Sequence, residues 1–252
     1  MKNTKQPNLS RQNGLFRGDF NFKMYTFYFS LMMAFSCIVR GEKSSQLIQN
    51  LDNGVSQTLV FYGTSLTAGG SWADEMEKIL NEKYGKLIQV YNCARGGSNS
   101  GWGRANILKR VLPLDPDTIL IEFSMNDAIV SRKIPVDRAR ENLLYMIATL
   151  KAQNPKVEVV LLTMNPLGDK VASRTADDPY FRGSLPDHYQ MVRDFAAEQK
   201  LKLIDVNSIW LEFKNKDPRA FAKRVPDGVH PDDIGNREVI LPAVLEGLGL
   251  SQ

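Results

Sequence analysis

Five short apolar runs, each rich in β-branched or aromatic residues, recur along this chain at intervals long enough to hold a helix. They cover residues 58–62, 87–91, 118–123, 157–164 and 201–206. Short unbroken runs of this kind are the signature of strands covered on both faces. The stretches between them carry helical signals. Trp72, Met76, Ile79 and Leu80 share one helical face, and Gly85 closes that helix. Residues 136–153 form a long amphipathic pattern with Pro135 at its start and Pro155 beyond its end. Further helices are expected over 185–200 and 234–248. Strands joined through helix-length crossovers pair in parallel. The expected class is therefore α/β, a three-layer α/β/α sandwich around a five-stranded parallel sheet. In such sheets ligands bind at the carboxyl ends of the strands.

Composition narrows the function. A length of 252 residues suits one domain, and no internal repeat divides it. The formal charge of +4 is concentrated at the start, where Lys2, Lys5, Arg11, Arg17 and Lys23 face one acid, Asp19. The remainder is close to neutral, so no nucleic-acid partner is expected. Cys37 and Cys93 are too few for a disulfide framework, and no CxxC or HExxH spacing offers a zinc site. His188 and His230 are the only histidines.

Residues 24–39 (MYTFYFSLMMAFSCIV) are apolar and uncharged until Arg40. They fall short of the roughly 20 apolar residues of a membrane-spanning helix. With its basic lead-in, segment 1–40 is expected to be a secretion signal or, uncleaved, a membrane anchor. That gives an exported (periplasmic or extracellular) or membrane-attached protein. Ser36-Cys37 resembles a lipoprotein cleavage site only weakly, because Phe35 fits it poorly. Residues 41–56 are polar and read as a linker or early surface segment, with the folded domain at 57–252.

Four motifs follow expected strands. Gly63-Thr64-Ser65-Leu66-Thr67 follows the first, and places a serine between a strand and a helix. Alone it is equally an ordinary helix cap. Asn92 to Gly101 (NCARGGSNSG) follows the second, and its glycines let a backbone amide approach a ligand closely. Alone it is a common surface loop. Ser124-Met125-Asn126-Asp127 follows the third, and its asparagine amide is a candidate hydrogen-bond donor or a turn residue. Asp227-Gly228-Val229-His230-Pro231 lies between the fifth strand and the last helix. An aspartate three residues before a histidine reaches one ring nitrogen and leaves the other free to act as a base. His188, in Pro186-Asp187-His188-Tyr189, lacks such a partner and is expected at the surface. Together the four supply a nucleophile, a base, an orienting carboxylate and oxyanion donors, the parts that acyl transfer needs.

From residue 59 to the C-terminus the chain resembles the GDSL, or SGNH, hydrolase superfamily, named for blocks carrying Ser, Gly, Asn and His. Ser65, Gly97, Asn126 and the Asp227/His230 pair match those blocks. The resemblance implies a flavodoxin-like sheet, no metal or organic cofactor, and cleavage of a carboxylic ester through an acyl-serine. His230 would take the proton of Ser65, and the Ser65 and Gly97 amides with the Asn126 side chain would hold the oxyanion. Gly96 competes with Gly97 for the amide role. Thr64 stands where the family usually has aspartate, which puts the geometry around Ser65 in question. Ser124-Met125 stands where a glycine often precedes Asn-Asp, which alters the expected pocket wall.

Family members include lipases, thioesterases and carbohydrate deacetylases. Residues 165–184 (NPLGDKVASRTADDPYFRGS) form a polar loop with Arg174, Asp177, Asp178 and Tyr180 and no long apolar stretch. Such loops shape specificity, and this one favours a polar, carbohydrate-borne short acyl ester over an acyl lipid. Trp102 is either a sugar-stacking ring or core. Two other readings compete. In a nucleotide or flavin binder, Thr64, Ser65 and Thr67 would cradle a phosphate. However, GTSLTAGG matches neither GxxxxGK[ST] nor GxGxxG, and Asp227 and His230 would have no role. In a catalytically silent carbohydrate-binding domain of the same fold, Thr64 would mark the loss of activity.

Overall fold

In the computed structural model, which describes residues 44–250, helix α1 (Gln46–Asp52) leads into strand β1 (Gln57–Gly63). There follow α2 (Ser65–Ala68), α3 (Ser71–Tyr84), β2 (Ile88–Asn92), α4 (Ser100–Arg110), β3 (Thr118–Glu122), α5 (Ser124–Asp127) and α6 (Val136–Gln153). Then come β4 (Glu158–Thr163), α7 (Asp169–Ala172), α8 (Leu185–Gln199), β5 (Lys202–Asp205) and α9 (Val206–Lys216). Helices α10 (Pro218–Arg224), α11 (Asp233–Gly235) and α12 (Leu241–Leu248) complete the chain. The expected signal or anchor segment, 1–40, lies outside the described residues.

The strands form one sheet of order β2-β1-β3-β4-β5, and every pairing is parallel. This is the doubly wound, flavodoxin-like order, which reverses direction between β1 and β3. Central strands β1, β3 and β4 are buried almost throughout, while the edge strands β2 and β5 are only partly buried. Side chains alternate across a strand, so each central strand feeds two cores. Leu59 and Phe61 face a core built with α1, α3, α9 and α12, through residues such as Leu51, Met76, Trp210 and Val244. Val60 and Tyr62 face the other, built with α4, α6 and α8 through Ile107, Met146 and Phe195. This is the expected three-layer arrangement.

Four local differences from the sequence reading have physical causes. The polar segment 41–56 carries α1, whose Leu47, Ile48 and Leu51 are fully buried. Its N-terminal amides, Gln46 and Leu47, donate to Glu158 at 3.0 and 3.1 Å. Helix α4 carries no apolar stripe because it packs closely. A Cβ on Gly103 would come within 2.7 Å of the Phe123 ring, so small residues face the core. The single helix expected over 234–248 is interrupted by a π-helical turn at Asn236–Ile240. That wider turn lies just before Pro242, which has no N–H for the usual helical bond. Finally, His188 is not at the surface. It is 1% exposed, with ring nitrogens 2.9 Å from the Ser184 carbonyl and 3.1 Å from that of Ile134.

Candidate active site

Strand β1 ends at Gly63 for a steric reason. A Cβ there would lie 2.3 Å from the carboxylate of Glu122, the last residue of β3. Glu122 is buried beneath the next turn and organises it. One of its oxygens accepts from the Thr64 amide at 2.6 Å and the Thr67 hydroxyl at 2.8 Å, and the Thr64 hydroxyl lies 3.0 Å from both oxygens. Thr64 also caps α2, its hydroxyl accepting from the Leu66 amide. Ser65 therefore starts a helix, and its amide N–H has no hydrogen-bond partner among the described residues. Thr64 in place of aspartate thus fits its surroundings, because an aspartate would set a second carboxylate against Glu122. Burial pushes Glu122 up to about 7, against the pull of the Thr64 and Thr67 hydrogen bonds.

The glycine block is stitched to the same strand end. The Gly63 carbonyl accepts from the Arg95 amide at 3.0 Å and from the Ser98 hydroxyl at 2.8 Å. Residues 95–98 form a tight turn closed by Ser98 N–H to the Arg95 carbonyl at 3.1 Å. Gly97 is its third residue with φ +72°, as a type II turn requires. The central peptide of such a turn makes no bond within the turn, and the Gly97 N–H has no partner among the described residues. Gly96 lies alongside, where a Cβ would be 4.0 Å from that of Ser65.

Asn126 sits in α5, directly beyond β3, and is buried. Its side-chain amide donates to the Ser98 carbonyl at 2.8 Å, which fixes its direction and leaves the second amide hydrogen over. Asp127 anchors the same turn by accepting from the Ser100 amide at 2.7 Å. Burial raises the Asp127 carboxyl above its ordinary range, and the Ser100 amide and hydroxyl and nearby His188 draw it back. Ser124 and Met125 are both buried, and Met125 belongs to the core.

The last block is held from β4. The Asn165 side chain donates to the Val229 carbonyl at 2.8 Å, and Gly168 N–H donates to the Gly228 carbonyl at 2.9 Å. Within the block, Asp227 accepts from the Val229 and His230 amides at 2.8 and 2.7 Å, and its other oxygen lies 2.6 Å from His230 Nδ1. Partial burial would raise the Asp227 carboxyl, but the His230 and Val229 hydrogen bonds outweigh it and leave it below the ordinary range. It stays ionised. His230 Nε2 lies 2.8 Å from Ser65 Oγ, across 165 residues of sequence. The His230 and Asp227 side chains are 48% and 55% exposed, so the row opens to solvent.

Ser65, His230 and Asp227 thus form one hydrogen-bonded row, with Gly97 and Asn126 positioned around the serine. A hydroxyl, an imidazole and an ionised carboxylate at these separations can pass a proton from serine to histidine while the carboxylate fixes the tautomer. Trp102 packs on Tyr62 at 5.7 Å between ring centres, with the Arg95 and Arg110 guanidinium groups over it. Glu122, Asn165 and Arg182 were not read from sequence as parts of this site. Each acts across more than 50 residues, which no local pattern records.

Residues 61–238 match the GDSL-like Lipase/Acylhydrolase family, and the chain belongs to it. It is an ester hydrolase. Among curated relatives, GDSL esterase/lipase At5g45920 of Arabidopsis thaliana is 22% identical over 219 residues, covering 76% of this chain and 87% of that protein. GDSL esterase/lipase At5g62930 of the same plant is 23% identical over 198 residues, covering 71% and 80%. Among solved structures, a putative GDSL-like lipase from Parabacteroides merdae superposes with a TM-score of 0.68 at 20% identity, covering 78% of this chain and 98% of that one. The acetylxylan esterase Axe2 from Geobacillus stearothermophilus gives 0.62 at 20% identity, covering 78% and 96%. At such identities the two structures share the fold.

Proposed function

We propose that this chain is a serine esterase in which Ser65 is the nucleophile, His230 its base and Asp227 the orienting carboxylate. The observation that carries the reading is the unbroken row from Ser65 Oγ to His230 Nε2 at 2.8 Å and from His230 Nδ1 to Asp227 at 2.6 Å. Ser65 Oγ attacks the ester carbonyl as its proton passes to His230 Nε2. The carbonyl oxygen, now negative, is held by the Ser65 and Gly97 amides and the Asn126 side chain. Collapse expels the alcohol, protonated by His230, and leaves an acyl-serine. Water, deprotonated by His230, attacks that ester, and the acid departs with Ser65 restored.

The proposed substrate is a short acyl ester, such as an O-acetyl group, on a polar or carbohydrate carrier. Two features favour it over an acyl lipid. The reacting row is open to solvent, and the neighbouring 165–184 loop is polar, with Tyr180 and the Arg174–Asp178 ion pair on its outer part. The acetylxylan esterase among the structural relatives points the same way.

A fluorophosphonate probe, followed by mapping of the modified residue, tests the mechanism. Ser65 is the expected label, and Ser65→Ala is expected to abolish both labelling and hydrolysis of 4-nitrophenyl acetate while its circular dichroism is unchanged. A folded Ser65→Ala variant with near wild-type turnover removes the assignment. Acetate release from acetylated xylo-oligosaccharides, compared with hydrolysis of long-chain nitrophenyl esters, tests the substrate class.

A further inference from the structure

One feature beside the catalytic row has no part in the chemistry above: the Arg132 guanidinium on its Gly97 side, with Arg174 and Arg182 on the loop bonded to the Arg132 turn. The Arg132 guanidinium lies 4.0 Å from the position a Cβ on Gly97 would take. It is exposed and has no carboxylate within ion-pair distance among the described residues. Arg182 is 8% exposed, and its guanidinium donates to the Met125 carbonyl at 3.1 Å and the Tyr180 carbonyl at 3.3 Å. Met125 directly precedes Asn126, so this charge lies behind the oxyanion side of the site. Arg182 likewise has no carboxylate partner among the described residues. Arg174, on the same loop, is paired with Asp178 at 3.4 Å.

The backbone joins these residues. Val130 N–H donates to the Phe181 carbonyl at 2.9 Å and Ser131 N–H to that of Pro179 at 3.2 Å, so the Arg132 turn and the 165–184 loop form one wall. Burial chiefly, then the charges of Arg174 and Arg132, lower the proton affinity of Arg182, while Asp227 and Asp178 oppose this. These four charges therefore act on Arg182. Asp227, which also bonds His230, and Asp178 are thus the two counter-charges to three guanidinium groups. A buried guanidinium held only by carbonyls is costly unless an anion shares its field.

We propose that Arg132, Arg174 and Arg182 form a subsite for a carboxylate on the substrate, so that the preferred ester carries an anionic group close to the scissile bond. This rests on the Ser65 esterase reading. Arg132 reaches the carboxylate directly, and Arg174 and Arg182 contribute their field from the wall. The carboxylate belongs either to the acyl part, as in a half-ester of a dicarboxylic acid, or to the alcohol part, as in an acetylated acidic sugar.

Matched ester pairs separate these cases. Mono-4-nitrophenyl adipate against 4-nitrophenyl hexanoate places the charge on the acyl side, and 3-acetoxybenzoate against its methyl ester places it on the alcohol side. With kcat/KM normalised to the uncatalysed rates, the charged member of one pair is expected to be favoured by about tenfold. That preference should shrink between about 20 and 500 mM NaCl, as screening requires. Arg132→Gln and Arg174→Gln are each expected to lower the charged-to-neutral ratio towards one. A ratio near one in the wild type overturns the subsite. So does an equal fall for both members in the Arg132 variant, which would assign Arg132 to the oxyanion instead. Calorimetric titration with adipate needs no turnover. Binding weakened by Arg132→Gln supports the subsite even if no ester is cleaved, in which case the Ser65 reading alone fails. No binding of adipate to the wild type, with no ester cleaved, overturns both.

Discussion

Asn126 has one amide hydrogen committed to the Ser98 carbonyl, which leaves the other for a further acceptor. A turn residue and an oxyanion donor respond differently to the same substitution. If Asn126 served only the turn, Asn126→Asp would be mild, since aspartate also favours turns. As a donor to the oxyanion, its loss to alanine should lower turnover by about 10²–10³ with a smaller change in KM, because the contact strengthens in the transition state. Aspartate should do worse than alanine. It places a carboxylate beside the developing negative charge, and it leaves the Ser98 carbonyl facing an acceptor. Turnover and KM for both variants, after melting curves confirm that each is folded, decide between the two roles. At this scale the sequence showed which residues stood at strand ends, because small motifs such as Asp227-x-x-His230 are local. It did not show Glu122 as the support of the Thr64–Ser65 turn, since Glu122 lies 58 residues from Thr64 and falls within an apolar run.

The helices divide into those that pattern reveals and those that packing hides. Residues 136–153 were legible because Ala139, Leu143, Met146 and Leu150 repeat at helical spacing on one buried face. Helix α4 was not, since its buried side is Ser100, Gly103 and Ile107. Helix α9 also escaped the reading. Trp210 is fully buried while Ile209 and Leu211 on either side are exposed, so no single stripe stands out. Helix α1 is too short for a period to show. Helix α8 bears directly on a prediction. His188 near its start bonds back to the Ser184 carbonyl and across to Ile134, two residues before α6 begins. It therefore joins two elements and lies outside the row of Ser65, His230 and Asp227. His188→Ala is expected to lose about 1–3 kcal/mol of stability, from the emptied buried ring site and the Ile134 carbonyl left without its ring partner, while keeping turnover when assayed well below its melting point. His230→Ala should do the reverse, retaining its melting temperature and losing nearly all activity. Urea melts and steady-state assays on both variants check this, and the opposite ranking would mean the base is misassigned.

Across the whole molecule, the loops after β1, β2 and β3 carry Ser65, Gly97 and Asn126, the loop after α10 carries Asp227 and His230, and the order β2-β1-β3 brings the first three side by side at the reversal point of the sheet. The parallel sheet followed from strand spacing, whereas its flavodoxin-like order came only from the family resemblance. Global stability should carry the mark of the buried carboxyl between those loops. Glu122 is raised to about 7 in the folded protein from about 4.5. Between these values the native state keeps a proton that the unfolded chain has lost, so the contribution of Glu122 to stability is fully present below about 4.5 and is lost as pH rises through about 7. The difference is on the order of 3 kcal/mol, a ceiling that relaxation of the site would reduce. Glu122→Gln cannot titrate and should flatten this decline, even if its stability at any one pH is lower. Melting temperatures of both proteins from pH 5 to 8 measure the two slopes, and parallel curves would remove Glu122 as the source.

The contact between Thr64 and Glu122 has a consequence for how this site can change. Two hydroxyls and one amide converge on a single carboxylate, so neither position 64 nor position 122 is free to vary alone. Restoring the family's aspartate by Thr64→Asp would set two acids face to face in a buried site, and should cost both folding and turnover. Adding Glu122→Gln to that variant replaces one acid with an amide that can donate, and should recover much of the loss. The pair is thus epistatic. An ancestor with aspartate at 64 would have had to cross a valley, or change residue 122 first, to reach the present sequence.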